Sequence, residues 1–118
     1  MKIKSALLKT MMSLMKHTSF FVKDKKFFED LPDQNKVLVV FWHPQCQGCE
    51  EIMRYFPILM AKALKKWYKI KFCNFKMFPQ HCCWIGVKFT PSVYIKDEKW
   101  EARVISNIDQ IKDFIKSF

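Results

Sequence analysis

A six-residue apolar run that leads into two cysteines constrains the fold of this 118-residue chain more than any other stretch. The run extends from Val37 to Trp42, and an unbroken apolar run of this kind is typical of a parallel β-strand buried on both faces. Pro44 then ends the strand, because proline has no N–H to donate to a sheet. From Cys49 onward apolar residues recur every three or four positions, which predicts an amphipathic helix. The stretch therefore predicts strand, turn and helix, with Cys46 and Cys49 at the first helical turn.

Cys46 and Cys49 form a C-x-x-C motif, and their predicted position at the start of a helix favours redox chemistry. Unpaired backbone N–H groups and the positive end of the helix dipole stabilise an anion there, and a thiolate is such an anion. Thiols in this setting have pKa values lowered from about 8.5 to roughly 3.5 to 7.5. We therefore expect Cys46 to be the exposed nucleophile. Cys49 is expected to be the resolving cysteine, which displaces a bound substrate from the mixed disulfide.

A metal site is the main alternative use of a C-x-x-C motif. Half of a zinc site needs a second pair of ligands at suitable spacing, and the other cluster in the chain is His81-Cys82-Cys83. Adjacent residues chelate one tetrahedral ion poorly, so we predict no metal site. A metal or iron–sulfur carrier that uses Cys46 and Cys49, for example across a dimer, stays open as a lesser alternative.

Length and composition indicate a single globular domain, which we assign to residues 18–118. Half of the residues are hydrophobic, enough to bury a compact core without disulfide support. Five cysteines do not make the even framework of a secreted protein, which favours the cytoplasm or another reducing compartment. Residues 1–17 contain four lysines and no acid, and we interpret them as a basic extension, either a helix or a targeting or weak signal segment. No stretch approaches the roughly 18 consecutive apolar residues of a transmembrane helix.

The net charge of +10 is concentrated in the middle of the chain, where residues 52–96 contain no acid. The simplest interpretation is a set of solvated helix faces and loop edges. The functional alternative is an electropositive surface that attracts acidic protein partners. No nucleic-acid-binding module is recognisable, so we expect no nucleic-acid partner.

The remaining stretches predict a mixed α/β domain. We expect Pro57 to kink the helix that contains it without ending it, because the apolar period continues beyond it. Asn107 can cap the last helix. The predicted strands are 18–22, 37–42, 70–75, a fourth that follows Thr90-Pro91 and ends at 95, and 100–105; the predicted helices are 23–31, 49–66, 77–85 and 108–118. This order predicts a central mixed sheet of four to five strands flanked by helices on both faces.

Two segments resemble the thioredoxin family. Phe41-Trp42-x-Pro44-x-Cys46-x-x-Cys49 is similar to the thioredoxin active-site segment Phe-Trp-Ala-Pro-Trp-Cys-Gly-Pro-Cys. Gly86-Val-Lys-Phe-Thr-Pro-Ser92 resembles the family's Gly-Val-x-x-x-Pro-Thr stretch, whose proline is cis. The resemblance covers residues 18–118 and implies the thioredoxin fold. It also implies a thiol–disulfide oxidoreductase that acts on protein disulfides.

The resemblance implies roles for particular residues. Cys46 would be the nucleophile and Cys49 the resolving cysteine. The residues implied to contact substrate are Trp42, Gln47, Gly48, Thr90 and Pro91. In the family the cis-proline packs against the cysteine pair, and the residue before it offers backbone hydrogen bonds to an extended substrate. No bound cofactor is implied, but turnover would need an electron donor such as a thioredoxin reductase or glutathione.

The sequence also departs from the family pattern. Val40 stands where thioredoxins have a buried acid that assists proton transfer to the second cysteine. Gln45 replaces a surface tryptophan, and Gln47-Gly48 replaces the Gly-Pro dipeptide that tunes the redox potential. Val104 or Ile105 replaces a glycine of the substrate groove. These departures motivate an alternative function, in which a redox-inactive thioredoxin-like protein uses its basic surface to bind other proteins.

Overall fold

The computed structural model describes residues 21–43 and 46–118, and the side chains of Gln47 and Trp100 lie outside this description. The predicted extension at residues 1–17 and most of the predicted strand at 18–22 also lie outside it. Elements are numbered along the described residues. The helices are α1 (Lys26–Asp30), α2 (Gln47–Met53), α3 (Phe56–Lys65), α4 (Pro79–Trp84) and α5 (Ile108–Ser117); the strands are β1 (Val37–Trp42), β2 (Lys69–Asn74), β3 (Ser92–Asp97) and β4 (Trp100–Ile105).

The described strands form one mixed sheet in the order β2-β1-β3-β4. β1 pairs in parallel with β2 and antiparallel with β3, and β3 pairs antiparallel with β4. Phe21 adds a single parallel bridge to Phe72 on the outer side of β2, with the Val22 N–H bonded to the Phe72 carbonyl at 2.9 Å. The predicted mixed sheet is therefore confirmed with four strands. The described part of the predicted first strand contributes only this bridge.

The two faces of β1 carry two separate hydrophobic cores. Leu38 and Val40 point to the face covered by α2, α3 and α5. Val37, Val39 and Phe41 point to the other face, where α1 and α4 pack. All five side chains are fully buried, which explains why β1 reads as a continuous apolar run. The prediction of helices on both faces is confirmed.

The helix predicted at 49–66 is two helices, so the prediction of one kinked helix was wrong. Pro57 lies in the first turn of α3 and has no N–H to bond back into α2, and the chain turns at Arg54 and Tyr55 instead. The Tyr55 carbonyl accepts the N–H of Leu59 at 3.0 Å and so begins the second helix. Proline is favoured in the first turn of a helix, where its missing N–H leaves no bond unmade.

The first helix is shorter than predicted, whereas the last helix begins where predicted. α1 starts three residues later than the predicted 23–31, and at its end a 3₁₀ turn at Leu31–Asp33, which contains Pro32, takes the place of Leu31 in the helix. The last helix begins as predicted, since the Asn107 side chain accepts the N–H of Asp109 at 2.9 Å. Along the part of the chain that the structure describes, no helix has the length and apolar content needed to cross a bilayer.

Candidate active site

The two cysteines of the C-x-x-C motif lie at the carboxyl end of β1 and are joined in a disulfide. Their sulfur atoms are 2.26 Å apart and their Cα atoms 5.3 Å apart. Cys46 is the N-cap of α2, and its Sγ accepts a hydrogen bond from the backbone N–H of Cys49 at 3.2 Å. The predicted placement of the pair at the first turn of a helix is therefore confirmed. An N–H directed at Sγ favours negative charge on that sulfur.

The two cysteines differ in their exposure to solvent. Cys46 is partly exposed, whereas Cys49 is only 3% exposed. The sulfur of Cys46 is thus the one that a large partner reaches first, and the buried Cys49 is reached through it. This asymmetry suits an attacking cysteine followed by a resolving cysteine.

A cis peptide bond joins Thr90 to Pro91 at the loop that precedes β3. Pro91 is buried and Thr90 is partly exposed. Ser92 follows directly and fixes this loop, because its hydroxyl donates to the Phe89 carbonyl at 2.5 Å and lies 3.0 Å from the hydroxyl of Ser106. The loop is therefore tied both to itself and to the end of β4.

Gly48 brings the two motifs together. A Cβ at this position would lie 3.1 Å from Cδ of Pro91 and 2.5 Å from Cδ1 of Ile108, the first residue of α5. The backbone inside the C-x-x-C motif thus packs directly against the proline of the second motif. The contact with Ile108 is one that sequence reasoning missed, because an apolar residue at the start of an amphipathic helix carries no signal beyond helix formation.

Trp42 is the last residue of β1 and is partly buried. Its ring packs against the core on the α2 and α5 face and meets the Phe21 ring edge-on, with centroids 6.2 Å apart. The indole Nε1 is buried, and no hydrogen-bond partner for it is found among the described residues. Gln47 is the first residue of α2. Of the predicted substrate-contacting residues, Gly48 and Pro91 contact each other. Trp42 lies four residues before Cys46, at the end of β1.

Val40 has no carboxylate, and the side chains around it are apolar. Val40 is fully buried in the core between the sheet and the helices α2, α3 and α5. The nearest acids in sequence, Glu50 and Glu51, are exposed on α2. Glu51 pairs with Lys112 of α5 at 2.5 Å, and the hydrogen bond and charge of Lys112 lower the pKa of this carboxyl. Neither residue takes the place of the missing buried acid.

The second cluster noted in the sequence does not assemble a metal site. Cys82 is buried in the core on the α4 face, whereas its neighbour Cys83 is exposed. Within residues 21–43 and 46–118 no group of three or more histidine, cysteine or acidic side chains converges to hold an ion. The side chains of this cluster thus point in different directions.

Comparison with known proteins gives a structural likeness only. No model of a protein family matches the sequence, and no curated protein matches it. The chain is similar to the mitochondrial thioredoxin 3 of Saccharomyces cerevisiae in its oxidised form, with 17% identity, coverage of 83% of this chain and 93% of that one, and a TM-score of 0.66. It is also similar to a mutant thioredoxin of Halobacterium salinarum, with 16% identity, 84% and 88% coverage and a TM-score of 0.59. The germline thioredoxin Deadhead of Drosophila melanogaster matches at 12% identity, 76% and 87% coverage and a TM-score of 0.57.

Proposed function

We propose that this chain, which has the thioredoxin fold predicted from its sequence, is a thiol–disulfide oxidoreductase that acts on protein disulfides. The observation that carries the proposal is the disulfide between a partly exposed Cys46 and a buried Cys49 at the start of α2. The position of Pro91 against the same motif supports it. The two segments, 42 residues apart from Cys49 to Pro91, are thus in contact through Gly48 and Pro91.

The proposed reaction begins with the reduced pair. The Cys46 thiolate attacks one sulfur of the substrate disulfide, and the other substrate sulfur leaves as a thiolate. The sulfur of Cys49 then attacks Cys46 in the mixed disulfide and releases the first substrate sulfur. The substrate gains two electrons and two protons, and the Cys46–Cys49 disulfide is the oxidised product. The N–H of Cys49 stabilises the attacking thiolate of Cys46 through the hydrogen bond to its sulfur.

The second step requires that Cys49 lose its proton in a buried, apolar place. Val40 provides no carboxylate there, and burial disfavours the charged thiolate. The proton is therefore expected to pass to the departing substrate thiolate or to water. We infer that resolution by Cys49 is slower than attack by Cys46, so that mixed disulfides with substrate are long-lived.

The residues around the pair would bind the substrate chain. Thr90 is partly exposed, and its backbone is proposed to form hydrogen bonds with an extended segment. The buried Pro91 and the partly exposed Gly48 and Trp42 are proposed to support the bound segment. Gln47 lies between the cysteines and is proposed to contact the substrate as well. A thioredoxin-reductase-type protein or glutathione would return electrons to the pair. Positive charge on residues 52–96 would favour acidic partners, and the free thiols of Cys73, Cys82 and Cys83 suit a reducing compartment.

The test is the reduction potential of the Cys46–Cys49 pair together with its turnover. The full chain is equilibrated in glutathione buffers and analysed by mass spectrometry after alkylation, and insulin reduction is followed in parallel. A two-electron couple near about −270 mV with turnover would support a reductase, and one near about −120 mV would indicate an oxidant. Cys46→Ser should abolish turnover, whereas Cys49→Ser should trap a mixed disulfide at Cys46.

The alternative function is that of a redox-inactive binding protein, which the apolar site around Val40 favours. It predicts that no intramolecular disulfide forms at any glutathione ratio and that Cys46→Ser binds partners as the unchanged protein does. A third outcome is a Cys46–Cys49 disulfide that forms reversibly in a protein that reduces insulin no faster than free dithiols do. This outcome would support thiol–disulfide exchange by the pair but would exclude insulin-like proteins as substrates.

A further inference from the structure

A cleft of about 540 Å³ lies at the end of the sheet opposite the C-x-x-C motif. Asp97, the last residue of β3, lines this cleft. Ser92, at the other end of β3, pairs with Phe41 of β1, close to the motif. The cleft and the cysteine pair are therefore at opposite ends of the central strands. A cleft of this size is within the range of small-molecule sites.

Three aromatic rings line the cleft and contact one another. The Phe118 ring meets the Tyr68 ring edge-on, with centroids 5.2 Å apart, and stacks on the Phe114 ring at 5.0 Å. The Tyr68 hydroxyl donates to the Asp97 carboxylate at 2.5 Å, and this carboxylate also accepts the backbone N–H of Lys99 at 3.0 Å. The one acid among the lining side chains thus already holds two hydrogen bonds within the protein.

Positive charge predominates among the side chains that line the cleft. Four of them are cations, namely Lys36, Lys66, Lys99 and Arg103, against the single carboxylate of Asp97. Two of the cations lie over the aromatic rings: Nζ of Lys66 is 4.2 Å from the centre of the Phe118 ring, and Cζ of Arg103 is 5.6 Å from that of Phe114. Such an excess of positive charge in a concave surface favours an anionic ligand.

Trp67 lines the same cleft and is 86% exposed. It follows α3 in a left-handed conformation with a φ of 66°. Its N–H bonds to the Leu64 carbonyl at 3.1 Å, and the N–H of Tyr68 bonds to the Ala63 carbonyl at 2.9 Å, so the helix ends in a turn that favours glycine at position 67. Neither core packing nor backbone conformation favours a tryptophan here, whereas the stacking of a ligand on its ring would.

We propose that this cleft binds a nucleoside phosphate, with the base stacked on Trp67 and the phosphates among Lys66, Lys99 and Arg103. An exposed indole ring beside a group of cations suits a ligand that is planar at one end and anionic at the other. A simple anion would leave the indole without a role, and an uncharged aromatic compound would leave the cations without one. The proposal does not depend on the function proposed for Cys46 and Cys49.

The experiment titrates the full chain with ATP by isothermal titration calorimetry, in buffer without divalent cations. Adenosine and inorganic triphosphate are titrated separately, since each carries one half of the proposed ligand. ATP should bind more tightly than either half. Added salt should weaken the binding of ATP and of triphosphate and leave that of adenosine unchanged, because only the phosphates are charged.

Trp67→Gly tests the base-binding half. It should weaken ATP binding by about five- to 150-fold, the range that corresponds to stacking of one base on an aromatic side chain, and leave triphosphate binding unchanged. Because glycine suits the backbone at position 67, the midpoint of urea denaturation should not fall. A purely structural role of the ring would lower that midpoint. Trp84→Ala is the matched control, since Trp84 is also exposed, at 75%, but lies on α4 and does not line the cleft.

Lys99→Gln tests the phosphate-binding half. It should weaken the binding of ATP and of triphosphate several-fold, reduce the salt dependence of both, and leave adenosine binding unchanged. Lys88→Gln is the matched control, because it removes the same charge from an exposed residue that precedes β3 at the other end of the sheet. It should change none of the three affinities by more than the small effect of net charge.

Four results would overturn the proposal. One is the absence of measurable ATP binding at millimolar concentration. Another is triphosphate binding as tight as that of ATP together with no effect of Trp67→Gly, which would mean a site for simple anions. The third is equal weakening by Lys88→Gln and Lys99→Gln, which would mean general attraction to a basic protein. The fourth is tighter binding of tetraglutamate than of ATP, which would mean a site for acidic peptides.

Discussion

Gly48 and Ile108 are in such close contact that a Cβ at position 48 would lie 2.5 Å from Cδ1 of Ile108. The contact joins the C-x-x-C turn to the first residue of α5. On the other side the same Cβ would lie 3.1 Å from the ring of Pro91. A side chain at position 48 would therefore have to displace the end of the Ile108 side chain and would crowd the ring of Pro91.

Gly48→Ala is expected to destabilise the protein by about 1 kcal/mol. Overpacking costs about 1 to 3 kcal/mol, and the helix propensity gained by replacing glycine offsets up to about 1 kcal/mol of this. Urea denaturation of the oxidised protein measures the difference. Ile108→Val removes the atom in closest contact, so the double variant should be more stable than the sum of the single changes predicts. Additive effects would show that the two side chains do not collide.

Ser92→Ala is expected to lower the free energy of unfolding by about 1 to 2 kcal/mol, since Ser92 is fully buried and bonded to Phe89 and Ser106. Ser106→Ala is the matched control. It should cost less, because Ser106 is only partly buried and Ser92 keeps its bond to Phe89. Urea denaturation compares the two. Equal losses would mean that the bond from Ser92 to the Phe89 carbonyl adds nothing measurable to the stability, since only Ser92→Ala removes it.

The stability contributed by Glu51 is expected to depend on pH. Because the Lys112 ammonium lowers the pKa of this carboxyl in the folded state, its contribution is present above the unfolded pKa and is lost as the pH falls through the folded value. Glu51→Gln should therefore destabilise at pH 7 and low salt, and the difference should vanish at low pH or high salt. A double-mutant cycle with Lys112→Gln measures the coupling. A difference that persists at low pH would point to a cause other than this ion pair.

Val40→Asp is expected to cost about 3 to 5 kcal/mol at pH 7, because it places an uncompensated charge in a core that excludes water. Burial raises the pKa of the new carboxyl above its unfolded value of about 3.9. The folded state then holds a proton that the unfolded state releases, so the stability falls as the pH rises from about 4 toward the raised value. Denaturation between pH 4 and 8 measures this. Val40→Asn, which does not titrate, should show the same loss at every pH in that range.

Val40→Asp also tests the proposed slow resolution of mixed disulfides by Cys49. If Cys49 is slowed by the lack of a nearby base, Val40→Asp should resolve mixed disulfides faster than the unchanged protein once its carboxyl is ionised. Stopped-flow measurement of product release separates this step from the attack by Cys46. An unchanged rate at every pH would mean that the proton of Cys49 leaves by another route.

Most of the sheet was predictable because its strands are marked by strong local patterns. β1 is an unbroken apolar run and β4 follows a tight turn, and both were predicted with the boundaries that the structure shows. The end of α2 and the start of a new helix just before Pro57 were not predicted. A proline can either kink a helix or begin one, and the apolar periodicity looks the same for one kinked helix as for two helices. The turn at Arg54 and Tyr55 separates the two helices, and no sequence pattern marks this turn.

The candidate site was predictable where its residues are consecutive in the sequence. The order of the C-x-x-C motif and its helix placed Cys46 and Cys49 correctly in the first turn. The contact of Gly48 with Ile108 spans 60 positions and depends on the docking of α5, which periodicity does not specify. The buried hydroxyl of Ser92 was not predicted, because its partners are a backbone carbonyl at Phe89 and a serine 14 residues away, which local patterns do not specify.

The strand order also affects how two copies of this protein could pair through their sheets. Along the part of the chain that the structure describes, the sheet ends at β4 on one side, whereas on the other side Phe21 and Val22 already bond to β2. Glu101 and Arg103 lie on β4. Charged side chains on an edge strand disfavour its pairing with a strand of another molecule, so these two residues oppose aggregation through β4.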